Sequence, residues 1–282
     1  MRVILPHTGH NTCGAGADSA AVLDAFSALA LASKNTQVAV LTCHQVVPLP
    51  PFAALKHLIL SSVEPAHLPI TCLEHATSLE TLSLGVDWSA RASEDINVSS
   101  LHALKHVRID SFAPRCLIVP DGCLLHLVWD GKRGSNFEEW VDDMQFWCEG
   151  QSIRLGSLQI SWKDPDWQSY NMADLRTMLT SDQELAYISL CSPELGNEEE
   201  PFLVDPSSCQ MLALAERVRF RFGKACSIRV TDMQPKWKDL SITAAKVKLE
   251  VEDTAALVRS LDNFQINGIA NYGFTIPNMG SS

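Results

Sequence analysis

One short apolar pattern recurs along almost the whole of this 282-residue chain: a leucine, a second apolar residue three positions on, and a third two positions after that. The clearest copies are Leu55-Leu58-Leu60, Leu79-Leu82-Leu84, Leu104-Val107-Ile109, Leu124-Leu127-Trp129, Leu155-Leu158-Ile160 and Leu185-Ile188-Leu190. Val218-Phe220 and Leu249-Val251 continue the series without a leading leucine. The middle position falls at 38, 58, 82, 107, 127, 158, 188, 218 and 249, in steps of 20, 24, 25 and 20 and then 31, 30, 30 and 31. The last two members of each copy alternate as the inward residues of a short strand do. A unit of this length cannot bury its own apolar face, so successive units must stack, and self-similarity at 20–30 residues marks a repeat array.

The segments between copies indicate what returns the chain to the next strand. Arg2–Leu5 reads as a short strand, Ala17–Ser33 as a helix with Val22, Leu23, Phe26, Leu29 and Ala30 on one stripe, and Gln37–Leu41 as the next strand. Prolines 48, 50 and 51 interrupt regular structure. Repeats around 58, 82, 107 and 127 leave room for only a turn or two. Later repeats are longer. Ser135 and Glu138 form a capping box ahead of Phe137, Trp140, Val141, Met144 and Trp147, and Gly150 closes that helix. A second helix carries Met172, Leu175, Met178 and Leu179. A third opens on Asp205-Pro206 with Met211, Leu212 and Leu214 inward, and Glu252–Leu261 is the last.

Taken together, strand, return segment and irregular period resemble the leucine-rich-repeat superfamily, and within it the substrate-recognition part of F-box proteins. The resemblance covers roughly residues 36–251. It implies an α/β fold: one curved solenoid over 1–277, about ten parallel strands on the concave side, helices or turns on the convex side, and a flexible tail at 278–282. The chain departs from the family where an Asn or Cys usually follows the strand by three positions. Only Cys43, counted from Val40, fits, and no three-helix F-box segment is found. The resemblance implies a noncatalytic protein-recognition module, with a ubiquitin-ligase adaptor as a further partner if an F-box lies upstream. Two other classes stand beside it: a scaffold repeat protein unrelated to ubiquitin, and a nucleotide-binding enzyme using the loop at Gly14 and Gly16.

Composition narrows the partners. A net charge of −11 and a pI near 5.2 argue against nucleic acid, which needs clustered Lys and Arg. No apolar run approaches the roughly 18 residues of a membrane span, and the residues after Met1 are too few in apolar character for a signal peptide. The nine scattered cysteines lack a Cys-x-x-Cys pair and read as reduced, near-core thiols of a cytoplasmic or nuclear protein.

In such an array the residues flanking each middle position point outward to the concave face. Before it stand Gln37, His57, Thr81, His106, His126, Ser157, Tyr187, Arg217 and Lys248; after it stand Ala39, Ile59, Ser83, Arg108, Val128, Gln159, Ser189, Arg219 and Glu250. With Lys56, Lys105 and Arg221 they predict a moderately basic strip in an acidic protein. The expected partner-binding residues are His57, His106, Arg108, His126, Gln159, Tyr187, Arg219 and Arg221. Arg and Tyr are types that dominate interface energetics. His106 and His126, read at equivalent positions with Asp110 and Asp130 nearby, lack a third ligand at fixed spacing. His7-x-x-His10-x-x-Cys13 is a loop set. Neither amounts to a metal site. Gly14-Ala-Gly16 lacks a full phosphate-binding fingerprint, and no Gly-x-Ser-x-Gly or His-Glu-x-x-His occurs. No catalytic, cofactor or metal residues are expected.

Overall fold

A computed structural model of the chain describes residues 2–4, 37–43, 54–62, 73, 76–86, 92–110, 114–130, 140–141, 154–161, 185–192, 202–205, 207, 209–223, 225–231 and 234–267. The chain divides into two compact units, Met1–Val128 with Arg133–Arg154, and Trp129–Lys132 with Leu155–Ser282. Parallel strands dominate the described residues and helices are few, an α/β arrangement.

The first unit holds β1 (Arg2–Ile4), β2 (Val38–Cys43), β3 (His57–Ser62), β4 (Thr81–Val86), β5 (Ala92–Asn97), β6 (His106–Asp110), β7 (Pro114–Ile118) and the Leu124–Val128 part of β8 (Leu124–Asp130). Strands β1, β2, β3, β4, β6 and β8 pair side by side, all parallel, while β5 and β7 pair with each other. From β4 to β8 the chain thus alternates between a main sheet and a second one.

Register decides which residues form the core. One row runs Ala39, Leu58, Leu82, Val107, Leu125, and its members are 0–1 % exposed. The next row carries Leu60, Leu84, Ile109 and Leu127, equally buried. Burial of each such side chain contributes about 1.5–3 kcal/mol. Short return segments are built on a three-residue apolar period, Leu73-Ala76-Leu79 and Val98-Leu101-Leu104, all six buried. The Ala76 and Leu79 amides donate to the carbonyls of Leu73 and Ala76, and those of Leu101 and Leu104 to Val98 and Leu101, at 2.8–3.0 Å. Bonds of this i to i+3 type eclipse side chains at i and i+3, which is why all three apolar residues reach the core. Trp140 and Val141 are helical and buried, as their spacing predicts.

The second unit contains β9 (Arg154–Ser161, from Leu155), β10 (Tyr187–Ser192), β11 (Phe202–Val204), α1 (Gln210–Leu214), β12 (Arg217–Phe222), β13 (Cys226–Val230), β14 (Asp239–Thr243), β15 (Val247–Val251), α2 (Thr254–Ser260) and β16 (Asn263–Asn267). Strands β9, β10, β12, β14 and β16 form its main parallel sheet, and β11, β13 and β15 a separate one. Its leading row is Leu158, Ile188, Val218, Leu240, Phe264; the next is Ile160, Leu190, Phe220, Ile242, Ile266. Both rows are buried up to β14, whereas Phe264 on β16 remains exposed. Leu158 and Ile188 are neighbours in one sheet, as the repeat pattern requires.

Three positions differ from the sequence expectation. In β2 the inward residue is Ala39, 0 % exposed, and Val38 points out at 45 %. The run Val-Ala-Val-Leu is apolar in both parities, and Thr42, bonded to Ser61 at 3.1 Å, fixes which parity faces outward. Leu41 is therefore level with Leu60, which moves Cys43 off the family position. In β8, Leu125 rather than Leu127 is level with Val107. Residues 124–129 are apolar in every position except His126, so two frames fit the pattern. Pairing with β6 sets the observed frame, and Gly122, at φ 77°, makes the turn just before β8. The third difference is largest. Leu249 is not the successor of Val218 but lies in β15, level with Ile228 of the second sheet. The true successor is Trp237-Leu240-Ile242, then Leu261-Phe264-Ile266, in which a tryptophan takes the leading leucine's place.

Trp237 is fully buried, donates from Nε1 to the Leu212 carbonyl at 2.8 Å, and meets Phe220 edge-on at 6.4 Å. Phe202 and Phe222 pack on Phe220 at 6.0 and 5.7 Å. The helix before β12 also begins later than expected. The Asp205 carboxylate accepts from the Ser207 amide and hydroxyl, closing a turn, and α1 starts only after Cys209. Ala213 is buried there and Leu214 only half-buried. Helix α2 is capped by Asp253, which accepts from the Ala256 amide at 2.8 Å. The expected helices at 17–33 and around 172–179, the loop at 7–16 and the tail at 278–282 lie outside the described residues.

Trp237→Ala should lower the free energy of unfolding by about 3–5 kcal/mol. Val38→Ala should change it by less than about 0.5 kcal/mol. Urea denaturation of both variants checks this register, and comparable losses would contradict it.

Candidate functional site

The outward residues of each main sheet form level rows as regular as those of the core. In the first unit one row runs His57, Thr81, His106, Leu124 and the next Ile59, Ser83, Arg108, His126. Neighbouring strands lie about 4.8 Å apart, so these side chains are presented at fixed spacing. His106 and His126 are not level, as their sequence positions imply; His126 is level with Arg108. The rings nevertheless meet diagonally, Nδ1 of His106 lying 3.1 Å from Nε2 of His126, with centroids 5.3 Å apart. Arg108 reaches Asp110 at 3.5 Å. Among the described residues no group of three or more His, Cys, Asp or Glu is placed to hold a metal ion.

Lys56 and Lys105 do not add free positive charge to this face. Both lie two residues before the middle position of their repeats, and Glu80 holds the same place in the repeat between. Glu80 Oε1 and Oε2 take Lys56 and Lys105 at 3.1 and 2.8 Å. Hydrogen bonds from Lys105 and then Lys56 hold the Glu80 carboxyl down to about 2. Backbone bonds follow the same path: the Gln37 carbonyl accepts from the amides of Lys56 and His57, and the Lys56 carbonyl from those of Glu80 and Thr81. In the second unit Glu216 and Lys238 occupy this level, 2.5 Å apart, and Glu216 raises the Lys238 ammonium above its usual range.

The second unit gathers the expected Gln159, Tyr187, Arg219 and Arg221 onto one face. Its rows are Ser157, Tyr187, Arg217, Asp239, Asn263; then Gln159, Ser189, Arg219, Ser241, Gln265; then Ser161, Cys191, Arg221, Thr243, Asn267. Arg217, Arg219 and Arg221 alternate along β12 with buried Val218, Phe220 and Phe222, and all three are exposed. The Arg217 guanidinium lies 6.0 Å from the centre of the Tyr187 ring. The Asp239 carboxylate, level with Arg217, accepts from the Asn263 amide at 2.6 Å. Among the described residues Arg219 and Arg221 meet no carboxylate.

Several expected face residues lie elsewhere. Ala39 is core, Ser157 and Val128 are buried, and Val128 is level with Asp110 rather than with Arg108. Lys248 and Glu250 belong to the second sheet, where Glu250 bonds Lys248 and, at 2.6 Å, Arg229. Lys248, then Arg229, hold its carboxyl below the usual range. The sequence reading missed Asp239, Ser241, Thr243, Asn263, Gln265 and Asn267, because it followed Leu249. A tryptophan three residues before Leu240 carried the signal that would have found them. Cys116, Cys123, Cys191, Cys209 and Cys226 are free thiols. Burial pushes Cys123 up to about 11 and Cys226 up to about 12, so neither supplies a nucleophile near neutral pH. Comparison with protein-family models, curated proteins and solved structures gave no match.

Burial, then the nearby His106 and Arg108, push the His126 imidazole below its ordinary pKa. The neutral ring's contribution is complete above the unfolded value of about 6.5 and is lost as pH falls through the lower folded value. The melting temperature should therefore drop on acidification below pH about 6.5. His126→Gln should flatten that part of the profile, and an unchanged slope would count against the coupling of the two rings.

Proposed function

We propose that this chain is a noncatalytic protein-recognition module, a leucine-rich-repeat solenoid whose outward strand face binds a protein partner. The alternation of main-sheet and second-sheet strands from β4 to β8 in the first unit and from β10 to β16 in the second supports the solenoid reading. The observation that carries the function is the face around β12: half-buried Tyr187 beside exposed Arg217, Arg219 and Arg221, in level rows on a core-backed sheet. Aromatic and arginine side chains held in place before binding lose little entropy on association and supply most of the energy of an interface. The face around His106, Arg108 and His126 serves the same role in the first unit. Irregular repeat spacing supports placing the module with the substrate receptors of F-box-type ubiquitin ligases. Catalytic chemistry draws no support from the described groups, whose pKa shifts arise in ion pairs, in burial and, at His126, also from the neighbouring His106 and Arg108.

Affinity capture with the tagged chain tests this. Tyr187→Ala, Arg219→Ala and Arg108→Ala should each weaken partner recovery about tenfold, a loss of about 1.4 kcal/mol per side chain, with the melting temperature nearly unchanged. Arg229→Ala, on the second sheet, should leave recovery intact. If Arg229→Ala abolished capture and the face variants did not, the assignment would be wrong. Recovery of a cullin-ligase adaptor by the natural full-length protein would support the ubiquitin role, and its absence a scaffold unrelated to ubiquitin.

A further inference from the structure

Within an acidic chain, the basic side chains near a carboxylate use it. Lys56 and Lys105 bind Glu80, Arg108 binds Asp110, Lys238 binds Glu216, and Arg229 and Lys248 bind Glu250. Strand β12 breaks this pattern. Its three arginines rise from one face at every second residue, and Arg219 and Arg221 meet no carboxylate among the described residues. A carboxylate does stand level with Arg217, but Asp239 is bonded to Asn263 and Arg217 lies against Tyr187. Like charges held close repel one another, and on the strands beside β12 the facing rows carry a single carboxylate, that of Asp239.

The spacing says what would. At a rise of about 3.3 Å per residue, successive arginines stand about 6.6 Å apart. An extended polypeptide has the same repeat, so its residues i, i+2 and i+4 can face Arg217, Arg219 and Arg221 one to one. The flanking side chains at the middle level, Ser189 and Ser241, are short, which leaves the guanidinium groups standing above their neighbours. Their forked donors match carboxylates in two-point geometry. Building on the recognition reading above, we infer that the β12 face takes an extended acidic polypeptide segment with carboxylates at alternate positions.

The test titrates the full chain into a fluorescent peptide, Ser-Glu-Ser-Glu-Ser-Glu-Ser, read by anisotropy at low salt. A peptide of the same composition with contiguous glutamates is the spacing control, and a single-stranded oligonucleotide of equal charge is the phosphate control. The alternating peptide should bind at least about threefold tighter than the contiguous one, and Arg219→Ala should weaken it about tenfold, the loss of one charge-assisted bond pair. Arg219→Lys should retain part of the affinity, and Arg229→Ala, on the second sheet, should leave it unchanged, with melting temperatures confirming folded variants. Spacing-independent binding, or tighter binding of the oligonucleotide through the same arginines, would overturn the inference. So would absence of peptide binding. If the peptide fails while Arg219→Ala still abolishes partner capture, the acidic-segment inference falls and the recognition reading stands; if neither responds to Arg219→Ala, both fall.

Discussion

Level burial of one apolar residue per repeat is the constraint on which the rest of this structure depends. Leu58, Leu82, Val107 and Leu125 in one unit, and Leu158, Ile188, Val218 and Leu240 in the other, sit opposite one another across parallel strands and are withdrawn from water. Because side chains alternate across a strand, fixing these rows inward fixes every intervening residue outward. A slip of one residue would exchange core for surface along an entire strand. The outward face is therefore as well determined as the core, although packing does not hold it directly.

Charge refines what burial sets. At β3, β4 and β6, and at β12, β14 and β16, the level two residues before the middle position alternates in sign, Lys56, Glu80, Lys105 in one unit and Glu216, Lys238, Asp262 in the other. Exposed ion pairs contribute little to stability. Their value here is positional: a strand paired one repeat out of order would bring like charges together. The same carboxylates remove Lys56, Lys105 and Lys238 from the charge available to a partner. Among the described residues, Lys56, Lys105 and Lys238 are thus paired just before their strands, while Arg219 and Arg221 on β12 meet no carboxylate. The contrast between the two places, more than the net charge, gives the face its character.

The two faces differ in what they offer. Around β6 and β8, His106 and His126 share a contact beside Arg108, and burial with these neighbours holds the His126 imidazole below its ordinary range. Around β12 three guanidinium groups stand on one face, and Tyr187 adds a flat apolar plane. Serine, threonine, asparagine and glutamine fill the adjoining rows on β14 and β16, and these polar groups suit a wetted rim around a charged centre.

From the sequence by itself came the repeat, the parallel neighbour relation of Leu58, Leu82 and Val107 and of Leu158, Ile188 and Val218, and the outward placement of His57, Arg108, Tyr187, Arg219 and Arg221. Those follow from periodicity and from alternation, which are properties of a single strand. The Asp253 cap of α2 lay just inside the helix expected from residue 252. Tertiary structure alone decided between equivalent frames. In Val38-Ala39-Val40-Leu41 and in residues 124–129 both parities are apolar, and only pairing with β3 and β6 selected one. It also sent Leu249 to the second sheet and put Trp237-Leu240-Ile242 in its expected place. Both segments alternate, and alternation by itself does not distinguish them. The difference is which one finds a hydrogen-bonding edge at β12 and a cavity beside Phe220 large enough for an indole, and that depends on residues far away in the chain.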